Sequence, residues 1–426
     1  MLTMLIATFV VLVVFRFSIA MALGLSCAAA IVFFSNISPI VMVQRMVVGV
    51  DSFVLLAIPL FVLSGRLMNE GGITDKIFLF ARALVGHVKG GLAHANIIGS
   101  LIFAGMTGSA VADAAGMGAI EIKAMKDQGY NEEFAASMTI ASSIIGPIIP
   151  PSIPMVLYGA LAEVSVGRLF VGGIVPGLLV ALSLMVMVAA IGQRKNFPKD
   201  PRVSLAVFIR RFWDALIPGL TPVIIVGGIV GGIFTPTEAA AVAAVYALAI
   251  SMLIYRSIRF RDLPGILVET MVTTAVVTFI ISNASIFSYL LILGDISEAV
   301  VNGLAAITSS KYVMLLLLNI ILLFFGAVME AGVALILLVP ILLPVLKIMD
   351  IDLIHFGVVL TVNLMIGVAT PPVGVCLFVV SHITGIRVER LMRAVLPYIV
   401  PPVIVLLLIT YIPSLVTFIP NLVFGK

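Results

Sequence analysis

Apolar positions gather in eleven blocks, at 1–34, 51–66, 92–126, 134–162, 168–193, 214–232, 236–255, 264–293, 311–346, 355–384 and 390–418. Short polar connections separate them, and two connections, 73–86 and 295–308, are amphipathic. The run "LPGILVETMVTTAVVTFIISNASIFSYLLIL" (263–293) exceeds the ~20 residues with which a helix crosses ~30 Å of hydrocarbon. Lipid offers no partner for backbone N–H and C=O groups, so each block is predicted to be helical. Two blocks contradict themselves. "GPIIPPSIPMVLYG" (146–159) and "GVATPP" (367–372) put prolines inside apolar sequence, and proline removes a helix donor and clashes with the preceding turn. Two broken helices are expected there.

Composition agrees with a membrane chain. Hydrophobic residues make up 62% and charged residues 10%, against about 25% charged in soluble domains. The N-terminus lacks a basic leader and a small-residue cleavage site, so it reads as a membrane helix rather than a cleaved signal. Whether 1–34 spans once or folds as two short helices around Arg16 stays open. The net charge of +4 comes mainly from connections, and no basic patch interleaved with aromatics points to nucleic acid.

Those charges assign sides, because cytoplasmic loops accumulate Lys and Arg. If 92–126 and 311–346 are re-entrant hairpins, 18 of the 24 Lys and Arg fall inside: the clusters near 66–89, 123–126, 194–211, 256–261 and 387–393. Arg45, Arg168, Lys311, Lys347 and Lys426 fall outside. A full crossing at either block would flip large clusters.

An internal repeat fits the same topology. At an offset of 221, Gly105 meets Gly326, Lys126 meets Lys347, Gly146 meets Gly367, Pro150-Pro151 meets Pro371-Pro372, and Pro176 meets Pro397. The first break lies on a segment running outward and the second on one running inward, so the halves are inverted repeats. Broken helices in inverted repeats are a transporter device: freed carbonyls ligate a small cation, and helix starts present N–H groups to an anion. The fold expected is an all-α polytopic membrane protein with two hairpins and two broken helices. It divides into an N-terminal region (1–50), repeat 1 (51–193), a cytoplasmic loop with connecting scaffold helices (194–263), and repeat 2 (264–426).

Five motifs carry a family resemblance: "TGSAVADAAGMGAIEIKAM" (107–125), "GPIIPPSIPMVLYG" (146–159), "GGIFTPTEAAAVAAVYAL" (231–248), "LILLVPILLPV" (335–345) and "VNLMIGVATPPVGVCLFV" (362–379). Together they resemble the large membrane subunit of TRAP (tripartite ATP-independent periplasmic) transporters, over essentially the whole chain. The resemblance implies a sodium-driven importer of a small carboxylate, such as a C4-dicarboxylate, sialic acid or another organic or sugar acid. It implies two separate partners, a periplasmic substrate-binding protein and a small four-helix membrane subunit. It also implies the bacterial inner membrane and an elevator mechanism, in which hairpins and broken helices slide against a scaffold. Carried onto this chain, one Na+ site comprises Ser109 with the carbonyls of Gly146, Ile149 and Pro151, and a second comprises Gly326, Gly367, Thr370 and Val373. One departure is that Ala110 and Asp113 follow the tip serine, where many relatives carry small hydroxyl or apolar residues.

Candidate substrate residues are Asp113, Ser142, Ser152, Glu330 and Asn363. A carboxylate at membrane depth is a functional candidate, although Asp113 and Glu330 also suit helix N-termini. Ser142 and Asn363 are repeat mates four residues before the break glycines, placed to bond the tips or the substrate. Glu121 and Lys123 are expected at the interface. The tips and breaks hold no arginine, and Arg66 and Arg168 flank the region at helix ends. A substrate carboxylate is therefore expected to rest on the helix starts near Ala110 and Ala331, hydroxyls and bound cations.

Other residues read as structural. Thr235, Pro236 and Glu238 form a capping-box pattern. Cys27, Cys376 and the four histidines lie scattered in apolar context, without metal spacing. An ABC-type permease is the first rival, since "TEAAAVAAVYAL" resembles its coupling loop, but that stretch maps outside and lacks the expected glycine. An intramembrane enzyme is the second, and no Ser/His, HExxH or paired-carboxylate arrangement supports it.

Overall fold

Prolines, glycines and capping side chains set where the helices stop. The structure, a computed structural model, describes residues 1–15, 17–195, 197–295, 300, 303 and 306–425. Helices α1 (Leu2–Val14), α2 (Ile19–Phe34), α3 (Ile40–Val48), α4 (Ala57–Glu70) and α5 (Ile73–Val85) precede a helical hairpin of α6 (Gly91–Thr107) and α7 (Ala110–Asp127). A broken helix, α8 (Glu132–Ser143) and α9 (Ile153–Ala162), follows, then α10 (Val166–Lys195), α11 (Leu205–Val230), α12 (Pro236–Ala249) and α13 (Leu263–Leu293). The second hairpin is α14 (Lys311–Val328) and α15 (Ala331–Ile348), and the second broken helix is α16 (Leu353–Val368) and α17 (Val375–Thr384). Helices α18 (Val388–Tyr411) and α19 (Ser414–Phe424) complete the order. Among the described residues no strand occurs, and eight helical spans there are long and apolar enough to cross a membrane.

Several boundaries differ from the apolar pattern. The block 1–34 is two helices, with Arg16 outside the described residues. Helix α11 starts at Leu205 rather than 214, because the Ser204 hydroxyl accepts from Val207 N and begins the helix before the Arg210–Arg211 pair. Helix α3 lies in a connection to which the apolar pattern assigns no element. Most of the stretch 295–308 lies outside the described residues, as do Asn196 and Lys426. The capping box forms as expected: Thr235 N donates to Glu238 Oε2 at 2.8 Å, and Glu238 N to Thr235 Oγ1 at 3.3 Å.

Long-range contacts sort the charges to two ends. At one end Arg82 pairs with Asp200 at 2.7 Å, Gln128 donates to the same carboxylate at 2.5 Å, and Tyr130 donates to Pro198 O at 3.2 Å. The Lys76 ammonium stands 4.3 Å from the Tyr255 ring centre, Tyr255 donates to Asp214 O, and Arg390 pairs with Glu133 at 3.0 Å. These contacts join basic clusters that are remote in sequence. Bonding to Arg82 outweighs the upward push of partial burial and holds the Asp200 carboxyl below its usual range. The chain from Asn131 to Ala162 leads away from this end. At the other, Tyr158 donates to Leu353 O, Lys311 to Asp350 O, and Arg168 to Gly425 O. The base of the α6–α7 hairpin thus sits at the basic end and that of the α14–α15 hairpin at the opposite one.

The two halves interlock. Helix α7 packs on α17 and α15 packs on α9, so the second arm of each hairpin covers the far half of the other repeat's broken helix. Helix α4 lies along α12 and also meets α13, α6 and α9, placing it beside this assembly.

Candidate functional site

Both hairpin tips turn on a capped helix start. Gly108 adopts φ +61° in the turn before α7, a conformation that costs glycine little. Ser109 then caps α7, its hydroxyl accepting from Ala112 N at 3.3 Å. Glu330 caps α15, a carboxylate oxygen accepting from Val333 N at 3.2 Å. The two caps are equivalent at the 221-residue offset, as are the donors, and each carries the N-terminal end of a helix dipole.

Each tip meets the break of its own repeat. In repeat 1, Gly146 lies so close that an added Cβ would stand 3.3 Å from Ser109 O, and Gly108 abuts Pro151 O. In repeat 2 a Cβ on Gly367 would stand 2.5 Å from Gly326 C, while Val373 N and Gly374 N donate to Ala327 O at 3.1 and 3.2 Å. The structure therefore brings Ser109 to Gly146 and Pro151, and Gly326 to Gly367 and the 370–373 loop. Ile149 belongs to the first loop, its side chain packed toward Gly177. Thr370 donates its hydroxyl proton to Ile366 O at 2.5 Å, which leaves oxygen lone pairs available to a cation. Both breaks contain a cis proline bond, at Pro150–Pro151 and Pro371–Pro372.

Three candidate substrate residues make hydrogen bonds within the assembly. Ser152 is fully buried, donates to Pro147 O and caps α9 by accepting from Met155 N at 3.3 Å. Ser142 donates to Asn96 Oδ1 at 2.6 Å, and Asn363 donates to Asn319 Oδ1 at 2.8 Å. Thus each broken helix is strapped to the first arm of its hairpin, away from the tip. Asn96 and Asn319 stand out in the sequence as amides inside apolar arms, but nothing there names their partners.

Two acidic residues of α7 are buried in the protein. Glu121 is fully buried rather than interfacial, with Oε2 accepting from Asn96 at 2.6 Å, whereas Lys123 is exposed. Asp113 is 1% exposed, packed in the hairpin interior, and does not line the cavity formed by the tips.

Tips, breaks and scaffold enclose a cavity of about 530 Å³. Its wall includes Ser109 and Glu330 from the tips, Pro147 and Val368 from the breaks, and Arg66 and Thr273 from α4 and α13. Among the described lining residues, Arg66 is the one cationic side chain and Glu330 the one anionic one. Arg66, expected beside the region at a helix end, lies toward the end of α4 and in the cavity wall. Its guanidinium donates to Glu269 and, at 3.1 Å, to Thr273 Oγ1. Arg168 stays remote, bonded to Gly425 O.

The profile of the tripartite ATP-independent periplasmic transporter DctM component matches residues 6–415. The chain belongs to the family of TRAP transporter large permeases. This permease is 45% identical over 382 residues to the sialic acid TRAP transporter large permease protein SiaM of Vibrio cholerae, with 90% of each chain covered. It is 40% identical over 400 residues to the C4-dicarboxylate TRAP transporter large permease protein DctM of Pseudomonas aeruginosa, with 94% of each covered. The fold of this permease also resembles that of the Alcanivorax borkumensis YdaH transporter, whose crystal structure was described as an unusual topology. That match has a TM-score of 0.62 at 14% identity, over 87% of this chain and 86% of the other. The permease is accordingly a multi-pass transporter component, and its family is one of permeases rather than enzymes.

Proposed function

We propose that this permease imports a small carboxylate across the bacterial inner membrane in symport with Na+, by an elevator motion. It works with a small four-helix membrane subunit and receives substrate from a periplasmic binding protein. The observation that carries this reading is the meeting of both tips and both breaks around one cavity. Carbonyls of the two breaks lie beside the tips, where they can ligate Na+, and the α7 start, capped by the neutral Ser109, can face an anion, while the Glu330 carboxylate occupies the α15 start. Relatives named for sialic acid and for C4-dicarboxylates support the substrate class. The basic end faces the cytoplasm, by the excess of Lys and Arg.

Uptake of a labelled acid into vesicles containing the permease, its small subunit and its binding protein tests the proposal. Uptake should follow an inward Na+ gradient and ignore ATP; ATP-driven uptake without Na+ would overturn it. Ser109→Ala and Thr370→Ala should each raise the Na+ concentration for half-maximal uptake severalfold. Unchanged Na+ dependence in both would remove these hydroxyls from the cation sites.

Sidedness is tested separately. An impermeant thiol reagent added outside should label Phe234→Cys, at the α11–α12 turn, and leave Arg202→Cys unlabelled until the membrane is opened. The reverse pattern would overturn the inverted-repeat topology.

A further inference from the structure

We infer that Arg66 is a carboxylate-recognising residue mounted on the scaffold, and that Glu269 competes with the substrate for its guanidinium. The inference rests on the carboxylate reading above and adds a residue that the tip and break motifs do not contain. Arg66 stands on α4 and lines the cavity together with Ser109 and Glu330. Arginine carries five N–H donors in a planar fork matched to a carboxylate. Glu269 and Thr273 use one donor on each terminal nitrogen, so further N–H groups remain for a ligand. The Glu269 side chain is 60% exposed, against 33% for Arg66. The protein therefore encloses the Glu269 carboxylate little, which leaves room for another carboxylate to take its place on the guanidinium. A substrate carboxylate entering the cavity exchanges with Glu269 or shares the fork.

The neighbouring residue ties Arg66 to the hairpin. A Cβ on Gly65 would stand 3.2 Å from Thr107 Cα, so α4 touches the first hairpin just before its tip. The guanidinium belongs to the scaffold, whereas Ser109 and Glu330 belong to the hairpins. Sliding of the hairpins along α4 would therefore carry Ser109 and Glu330, and a substrate held between them, away from Arg66. Glu269 then takes the guanidinium back, which favours release of the acid. The alternative is that Arg66 and Glu269 only staple α4 to α13. Neutralising Glu269 separates the two, because a staple is lost while a competitor is removed.

The test uses the full chain in lipid nanodiscs with saturating Na+. Binding is measured calorimetrically for succinate, N-acetylneuraminate and gluconate, and for the carboxamide of whichever acid binds. The unsubstituted protein should bind an acid at least tenfold better than its amide. Arg66→Gln should weaken acid binding far more than amide binding and so lose that preference, and Arg66→Lys should restore part of it. Glu269→Gln should tighten acid binding severalfold. Equal weakening of acid and amide by Arg66→Gln, or weaker acid binding in Glu269→Gln, would overturn the inference and leave carboxylate recognition standing. An unsubstituted protein that binds none of the acids, or acid and amide equally, would overturn both.

Discussion

Oxidising a Gly65→Cys/Thr107→Cys pair should reduce Na+-driven uptake more than tenfold, and reduction should restore it. A Cβ on Gly65 lies 3.4 Å from Thr107 Cβ, close to the ~3.5–4.5 Å that a disulfide spans. The native thiols Cys27 and Cys376 are buried and unpaired, so they offer little competition. Gly65 sits on α4, which packs along α12 and α13, while Thr107 ends the first arm of the first hairpin. An elevator requires these two surfaces to slide past each other, and a covalent bond between them would hold one state. Binding of the periplasmic protein should persist in the oxidised form, because the outer surface is untouched. Full cross-linking with undiminished uptake would mean that α4 and the hairpin move together, and the proposed division into scaffold and transport block would fail.

The break glycines should respond unequally to one methyl group. At Gly367 an added Cβ would meet Gly326 C at 2.5 Å, Gly326 Cα at 2.6 Å and Ala327 N at 2.8 Å. All three are backbone atoms, which cannot swing aside as a side chain can. Gly367→Ala must push the α14–α15 tip away from its break, displacing the oxygens proposed to hold the second Na+. Overpacking of this kind costs about 1–3 kcal/mol or more, and Na+-coupled uptake should fall at least tenfold. At Gly146 the nearest atoms are Ser143 O at 3.2 Å and Ser109 O at 3.3 Å. That contact is tight but relaxes with a shift of a few tenths of an ångström, so Gly146→Ala should keep most of the uptake. Equal losses in the two variants, read against the amount of folded protein in the membrane, would mean that the tip-to-break spacing does not control coupling.

Features governed by neighbours along the chain are legible in the sequence. The proline pairs at 150–151 and 371–372 fall at the two breaks, and Thr235 and Glu238 close a box within one turn. The hairpins are legible because a short turn between two apolar arms, near 108–109 and 329–330, leaves an antiparallel pair as the compact solution. Na+ candidates on the tips and breaks come from the family motifs, and the repeat offset independently pairs Gly146 with Gly367. The sequence does not show which polar side chains also make packing contacts. Ser142, Ser152 and Asn363 have the right chemistry for a ligand, but their hydrogen bonds go to Asn96, Pro147 O and Asn319.

By itself, then, the sequence determined a helical membrane chain, the places where its helices break, and the clusters of positive charge that share one end. Each of these follows from local rules of hydrogen bonding and hydrophobicity over a few turns of chain. Only the tertiary structure decided which polar groups face the cavity and which are spent on straps. Arg66 reaches Glu269 across 203 residues, and Asn96 reaches Ser142 across 46. Nothing in a helical period encodes which neighbour stands opposite such a side chain. In an interior without water a polar group bonds the partner that packing brings to it, and that partner is chosen by the fold as a whole.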